Sequence, residues 1–119
     1  GDTVLPAIDR LERFFTVYGK LILSEFGVCL ALVSDRSLSA SSRRKLRALK
    51  KQFELAVRKI LDDGRKDGTI VVDNPRMFIF AVFGAFNWGP QWFSNTGQSS
   101  SEEIAIAMFS VFRKALAQT

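Results

Sequence analysis

The stretch "DNPRMFIFAVFGAFNWGPQWF", residues 73–93, decides the fold. Asn74 or Asp73 can cap a helix, and Pro75 suits its first position, where a missing N–H costs nothing. From Met77 to Trp88 no residue carries a charge. A helix of that composition is apolar all round and must be covered on more than one side. Neighbouring helices can cover one side. The other needs the last helix or a second subunit. Pro90 removes a backbone donor and disfavours a helical Gly89, so the helix ends or kinks there. If one helical turn survives the kink, Trp88 and Trp92 share a face.

Downstream, Gln91 to Ser99 reads as a polar linker. Ser100 with Glu103, or Ser99 with Glu102, makes a capping box. The final helix, Ile104 to Ala117, carries two apolar stripes. One is Ile104, Met108 and Val111; the other is Ala105, Phe109, Phe112 and Leu116.

Upstream, a long third helix follows the cap Ser39 and runs to about Lys66, with Gly64 or Gly68 as its left-handed stop. Its stripe is Leu46, Leu49, Phe53, Ala56, Val57, Ile60 and Leu61. Arg43, Arg44, Lys45, Arg47, Lys50 and Lys51 crowd its first turns. Ser34 to Ser42 reads as a loop, and "VCLALV", Val28 to Val33, as a short buried second helix. The first helix shows the stripe Leu5, Ile8, Leu11, Phe15, Tyr18 and Ile22, with Asp2 or Thr3 as its cap and Gly27 dividing it from the second. The expected fold is all-α: one domain over residues 1–119, five helices with short connections.

Composition excludes much chemistry. The 119 residues contain no His and a single cysteine, Cys29, in an apolar segment. The commonest acid–base and metal-ligating side chain is therefore missing, and one thiol builds neither a disulfide framework nor a zinc site. No glycine-rich phosphate loop is present. The expectation is a binding protein without cofactor, metal or catalytic residues. Hydrophobic residues make up 47% of the chain, and Phe outnumbers Tyr eleven to one. That ratio predicts a dry interior. No apolar run approaches the about 20 residues of a membrane span, and a reducing, cytoplasmic setting without membrane contact is expected. The net charge of +5 matters only where it clusters, on the basic face Arg43–Lys51. That face is either a solvated helix side or an anion contact, for a nucleotide-bearing ligand or a DNA backbone. No aromatic residue is interleaved with the cations, which argues against single strands.

"GAFNWGPQWFSNTGQSSSEEIA", residues 84–105, resembles the C-terminal part of TetR-type transcriptional regulators. The shared element is Asn87-Trp88, three residues, then Trp92, a glycine-containing linker and Ser-x-Glu-Glu. "LRALKKQFELAVRKILDDGRKDGTI" followed by a helix opening on Asp-x-Pro fits the family's order, so the likeness spans nearly the whole chain. The resemblance implies the effector-binding and dimerising core of a repressor, whose last two helices pair with their two-fold mates as a four-helix bundle. It implies a homodimer, a small hydrophobic effector such as an acyl-CoA or other lipid-derived ligand, and DNA contact only through a helix-turn-helix head. These residues contain no such head, so this chain is expected not to read operator DNA. Expected ligand-binding residues are Phe15, Tyr18, Ile22, Phe53, Val57, Phe83 and Asn87. Expected dimer-interface residues are Phe86, Trp88, Trp92, Ile104, Met108, Phe109 and Phe112. The alternative is a headless helical dimerisation module that binds no small molecule, and a membrane-surface role for the basic helix is a third possibility.

Overall fold

The computed structural model describes residues 5–24, 27, 38–93, 97 and 99–116. Among these, four α-helices and one 3-10 turn account for the regular structure: α1 Ala7–Ile22, α2 Ala40–Asp67, α3 Pro75–Trp88, the 3-10 turn Gly89–Gln91, and α4 Ser101–Leu116. The all-α expectation holds for the described residues. The second helix expected at Val28–Val33 lies outside them, and so does Cys29.

Local chemistry fixes most helix ends. The Ser39 side chain accepts from the Ser42 N–H, and the Asn74 side chain accepts from the Met77 N–H with Pro75 following. Ser100 and Glu103 form a reciprocal box: the Ser100 N–H donates to Glu103 Oε1 and the Glu103 N–H donates to Ser100 Oγ, both at 3.1 Å. Each such cap satisfies amides that have no intrahelical partner. Gly68 closes α2 at φ 81°, in the left-handed region that favours glycine.

The start of α1 differs from expectation. Asp2 and Thr3 lie outside the described residues, and the helix begins at Ala7 with no side-chain cap of its own. Its first amides are bound from across the fold instead. The Ala7 N–H donates to Asp67 Oδ2 at 2.9 Å, and the Ile8 N–H donates to Thr69 Oγ1 at 3.3 Å. Asp67 also accepts from the Thr69 N–H and hydroxyl. Two residues after Thr69, the Val71 N–H donates to the Leu116 carbonyl at 2.9 Å. One short turn therefore ties the start of α1 to the ends of α2 and α4.

The core forms where α1 meets the other helices. Ala7, Leu11, Phe15, Val57, Val82, Phe86, Ala105 and Phe109 are wholly buried. Side chains from α1 are joined to α4 by Arg113, which lies 3.0 Å from Asp9 and 3.4 Å from Glu12, and to α2 by the Arg10–Asp63 pair at 3.2 Å. The α1–α4 crossing is close because Gly19 carries no side chain: a Cβ there would stand 2.5 Å from the Ala105 Cβ and 2.9 Å from the Phe86 ring. Contacts that short demand backbone movement, since the interior has no slack to absorb them.

Candidate functional site

Phe15 is the hub of the interior. Its ring lies 5.2 Å from Phe86, 5.2 Å from Phe83 and 5.5 Å from Phe109, stacked on the last. These separations suit favourable ring pairs. One turn later the packing opens. Tyr18 is half-buried, with Phe83 at 5.2 Å and Phe53 at 5.6 Å, both edge-on, and Phe14 at 6.2 Å. Its hydroxyl donates to Asn87 Oδ1 at 2.5 Å. Burial pushes the Tyr18 phenol above its usual value, while the Asn87 bond works the other way. The phenol is therefore a lasting O–H donor at neutral pH. Helices α1, α2 and α3 thus bring Phe14, Tyr18, Phe53, Phe83 and Asn87 together: an aromatic wall with one polar pair at its edge.

The residues expected to hold a ligand divide accordingly. Tyr18, Phe53, Phe83 and Asn87 converge. Phe15 and Val57 are fully buried in the packed core. Ile22 sits half-buried at the end of α1. Phe14 belongs to the wall but lies off the stripe used to choose the inward face of α1; its spacing of four from Tyr18 is the signal that could have found it. A surface groove of about 530 Å³ lies elsewhere, at the C-terminal end of α2, lined by residues that include Arg58, Leu61, Arg65, Ile70, Val71 and Pro75. Sequence reasoning gave no sign of it, because turn residues line much of it.

The second surface is the outside of α3 and α4. On α3, Ile79, Val82 and Phe86 face the core. Met77, Phe80, Ala81, Gly84 and Trp88 share the opposite side at helical spacing. Met77 is 59% exposed, Phe80 49% and Trp88 64%. A Cβ added at Gly84 would meet nothing, so that side of the helix is open. On α4, Ala105, Phe109 and Leu116 turn inward. Ile104 and Met108 are half-buried beside them, and Val111 is 66% exposed.

This geometry corrects two of the expected interface residues. Phe86 and Phe109 are wholly buried against Phe15 within the chain's own core. An all-apolar helix gives no clue to its rotation, and the outer face proves to be the one carrying Met77 and Phe80. Phe112 is half-buried and meets Phe78 edge-on at 6.0 Å. Trp88, Trp92, Ile104 and Met108 keep accessible surface.

At the tryptophan junction the α-helix ends at Trp88, as expected, and a 3-10 turn follows; only the backbone of Gly89 departs from expectation. Gly89 stays helical, at φ −49° and ψ −45°, despite the proline after it. The clash that disfavours this conformation before proline involves the preceding residue's N–H and its Cβ, and glycine lacks the Cβ. Gly89 and Pro90 are buried, and a Cβ on Gly89 would come within 2.8 Å of the Leu23 side chain. The junction thus seats Leu23 and leaves Trp88 and Trp92 outside, the latter 48% exposed.

Among the described residues no group of acidic or thiol side chains is arranged to hold a metal ion, and no helix is long and apolar enough to cross a membrane. Residues 4–116 match the family model described as "Tetracyclin repressor-like, C-terminal domain". No curated protein and no solved structure matches the chain.

Proposed function

Because the chain belongs to the tetracyclin repressor-like C-terminal domain family, whose members are regulators rather than enzymes, we propose that it is the effector-binding and homodimerising core of a TetR-type transcriptional repressor. The observation that carries this reading is the outer face of α3 and α4. Met77, Phe80, Trp88, Trp92 and Val111 are all about half exposed or more. Met77, Phe80 and Trp88 fall on one side of α3 by helical spacing, and an exposed apolar stripe of this kind marks an interaction site. A two-fold interface needs the same patch to meet itself, which an apolar helix side with an open Gly84 can do.

The effector half of the reading rests on the Tyr18–Asn87 pair. A small-molecule site combines mostly apolar walls with a few polar groups that fix orientation. Phe14, Phe53 and Phe83 supply the walls; the Tyr18 hydroxyl and the Asn87 amide supply the handle. The ligand class proposed is a hydrophobic, lipid-derived molecule, with acyl-CoA thioesters the first to try. Its binding would shift the pairing geometry of the full-length regulator and release the operator.

Sedimentation tests the first half: a dimer at micromolar protein is expected, and a monomer overturns the interface. Thermal shift against a panel of acyl-CoAs and free fatty acids tests the second. A ligand bound only to the native state must raise the melting temperature. No shift from any member overturns the lipid effector.

A further inference from the structure

The charge of this chain is not spread over it. From Ala40 to Lys59 eight cations face one acid, Glu54, whereas the remaining residues hold nine cations against eleven acids. Most described cations outside this segment are ion-paired, Arg13, Arg76 and Lys114 being the exceptions, whereas within it, Arg43 apart, only Lys59 has a salt bridge to a carboxylate among the described residues. Arg10, Lys20, Lys59, Arg65, Lys66 and Arg113 are all ion-paired. Arg44, Lys45, Arg47, Lys50, Lys51 and Arg58 are exposed and have no carboxylate partner among the described residues. The first turn of α2 holds no acid, so its cations oppose the helix dipole and do not serve helix stability.

Their direction is set by helical geometry. At 100° per residue, Arg44 stands on the side of α2 opposite Phe53, and Lys51 nearly so. Phe53 packs on Phe14 and Tyr18. These cations therefore point away from the aromatic wall and cannot reach a ligand held there. Arg44, Arg47, Lys51 and Arg58 fall within about 60° of one another and rise about 21 Å along the helix. That is a straight basic stripe, not a pocket.

We propose that this stripe binds the phosphate backbone of double-stranded nucleic acid, so that the C-terminal domain itself contacts DNA without reading its sequence. Arginine forks and lysines on a rigid rod suit a duplex, whose charge repeats every about 1.7 Å of axis. The stripe carries no aromatic side chain on which unpaired bases could stack, so a duplex fits better than a single strand. A membrane surface fits worse, because an interfacial helix must bury its apolar face in lipid. Here that face is already covered toward the C-terminal half of the helix, where Val57 and Leu61 are buried in the core, and of the stripe residues in its N-terminal half only Leu49 is open, at 45% exposure. The proposal is independent of the effector and pairing readings.

Fluorescence anisotropy of the 119-residue chain with a 20-base-pair duplex of arbitrary sequence tests it. Binding is expected at 50 mM salt, weakening by roughly 100-fold at 200 mM for about four phosphate contacts. Arg44→Glu with Lys51→Glu should cost about tenfold or more at the lower salt. Arg13→Glu with Lys114→Glu makes the same change of charge on α1 and α4 and should cost less than about threefold. Circular dichroism confirms that each variant is folded. Lack of binding at 50 mM salt, equal loss in both variants, or capture by anionic phospholipid vesicles without duplex binding would each overturn the proposal.

Discussion

Helices α1 and α3 are of similar length, 16 and 14 residues, and both carry a fully buried face. They differ on the side turned away from it. On α1 that side holds Asp9, Arg10, Glu12 and Lys20, each engaged by an opposite charge on another helix, and Arg13, which is exposed without a salt bridge among the described residues. Only Val17 and Leu21 interrupt it with exposed apolar surface. On α3 the corresponding side holds Met77, Phe80, Gly84 and Trp88, and its one cation, Arg76, lies over the Phe80 ring at 5.4 Å. The first helix is thus largely completed inside the protomer, and the second is left half covered. What separates them is not apolar content but where polar side chains interrupt it.

The contrast breaks most severely at the hub. Phe15→Ala removes a ring that joins α1, α3 and α4, and should destabilise the chain by about 3–5 kcal/mol in chemical denaturation. A loss below about 1 kcal/mol would show that the interior does not depend on α1. Phe80→Glu with Trp88→Glu strikes the other helix on its open side. Folding should be kept by circular dichroism, while the dimer constant in sedimentation weakens by about 100-fold or more, equivalent to roughly 3 kcal/mol. An unchanged dimer would move the interface off α3. Tyr18→Phe and Asn87→Ala sit between the two helices. Each should cost about 1 kcal/mol in stability, yet abolish most of the thermal shift given by an effective acyl-CoA. A shift equal to that of the parent chain would remove the polar handle from the proposal.

Smaller effects test the helix ends. Ser100→Ala should cost about 1 kcal/mol, as loss of a serine cap does. Acid should act through Asp67. Hydrogen bonds from Thr69 and from the Ala7 N–H hold its carboxyl below the ordinary value. Its contribution is therefore complete above the ordinary carboxylate range, roughly pH 5 and higher, and is lost as pH falls through the lowered folded value. Asp67→Asn should flatten the acid limb of a melting-temperature profile; an unaltered limb would assign acid sensitivity to other carboxylates.

How much of this was written locally is clear from particular residues. Ser39, Asn74, Ser100 with Glu103, and Gly68 act at the ends where short motifs place them, because a cap needs only its own neighbours. The two stripes of the last helix are also real, and Ala105, Phe109 and Leu116 are the buried one. The inward turn of Phe86 was not legible, since the run from Met77 to Trp88 has no polar residue before Asn87 to fix its rotation. Nor could the cap on α1 be read locally: Asp67 lies sixty residues from Ala7. In the candidate site, Tyr18 and Asn87 stood out as polar groups in apolar settings, whereas the groove at the end of α2 depends on a turn whose path no periodicity describes.

That turn has a consequence for the order in which the molecule comes apart. The amides of Ala7 and Ile8 are held by Asp67 and Thr69, that of Ile70 by the Gly64 carbonyl, and that of Val71 by the Leu116 carbonyl. None can be released to solvent alone without loosening the same few residues. In hydrogen exchange these four protons should behave as one cooperative unit with a shared opening free energy. Amides near Gly89 and Trp92, tied only to their own turn, should exchange sooner. The domain would then open from the tryptophan end while its opposite end stays fastened.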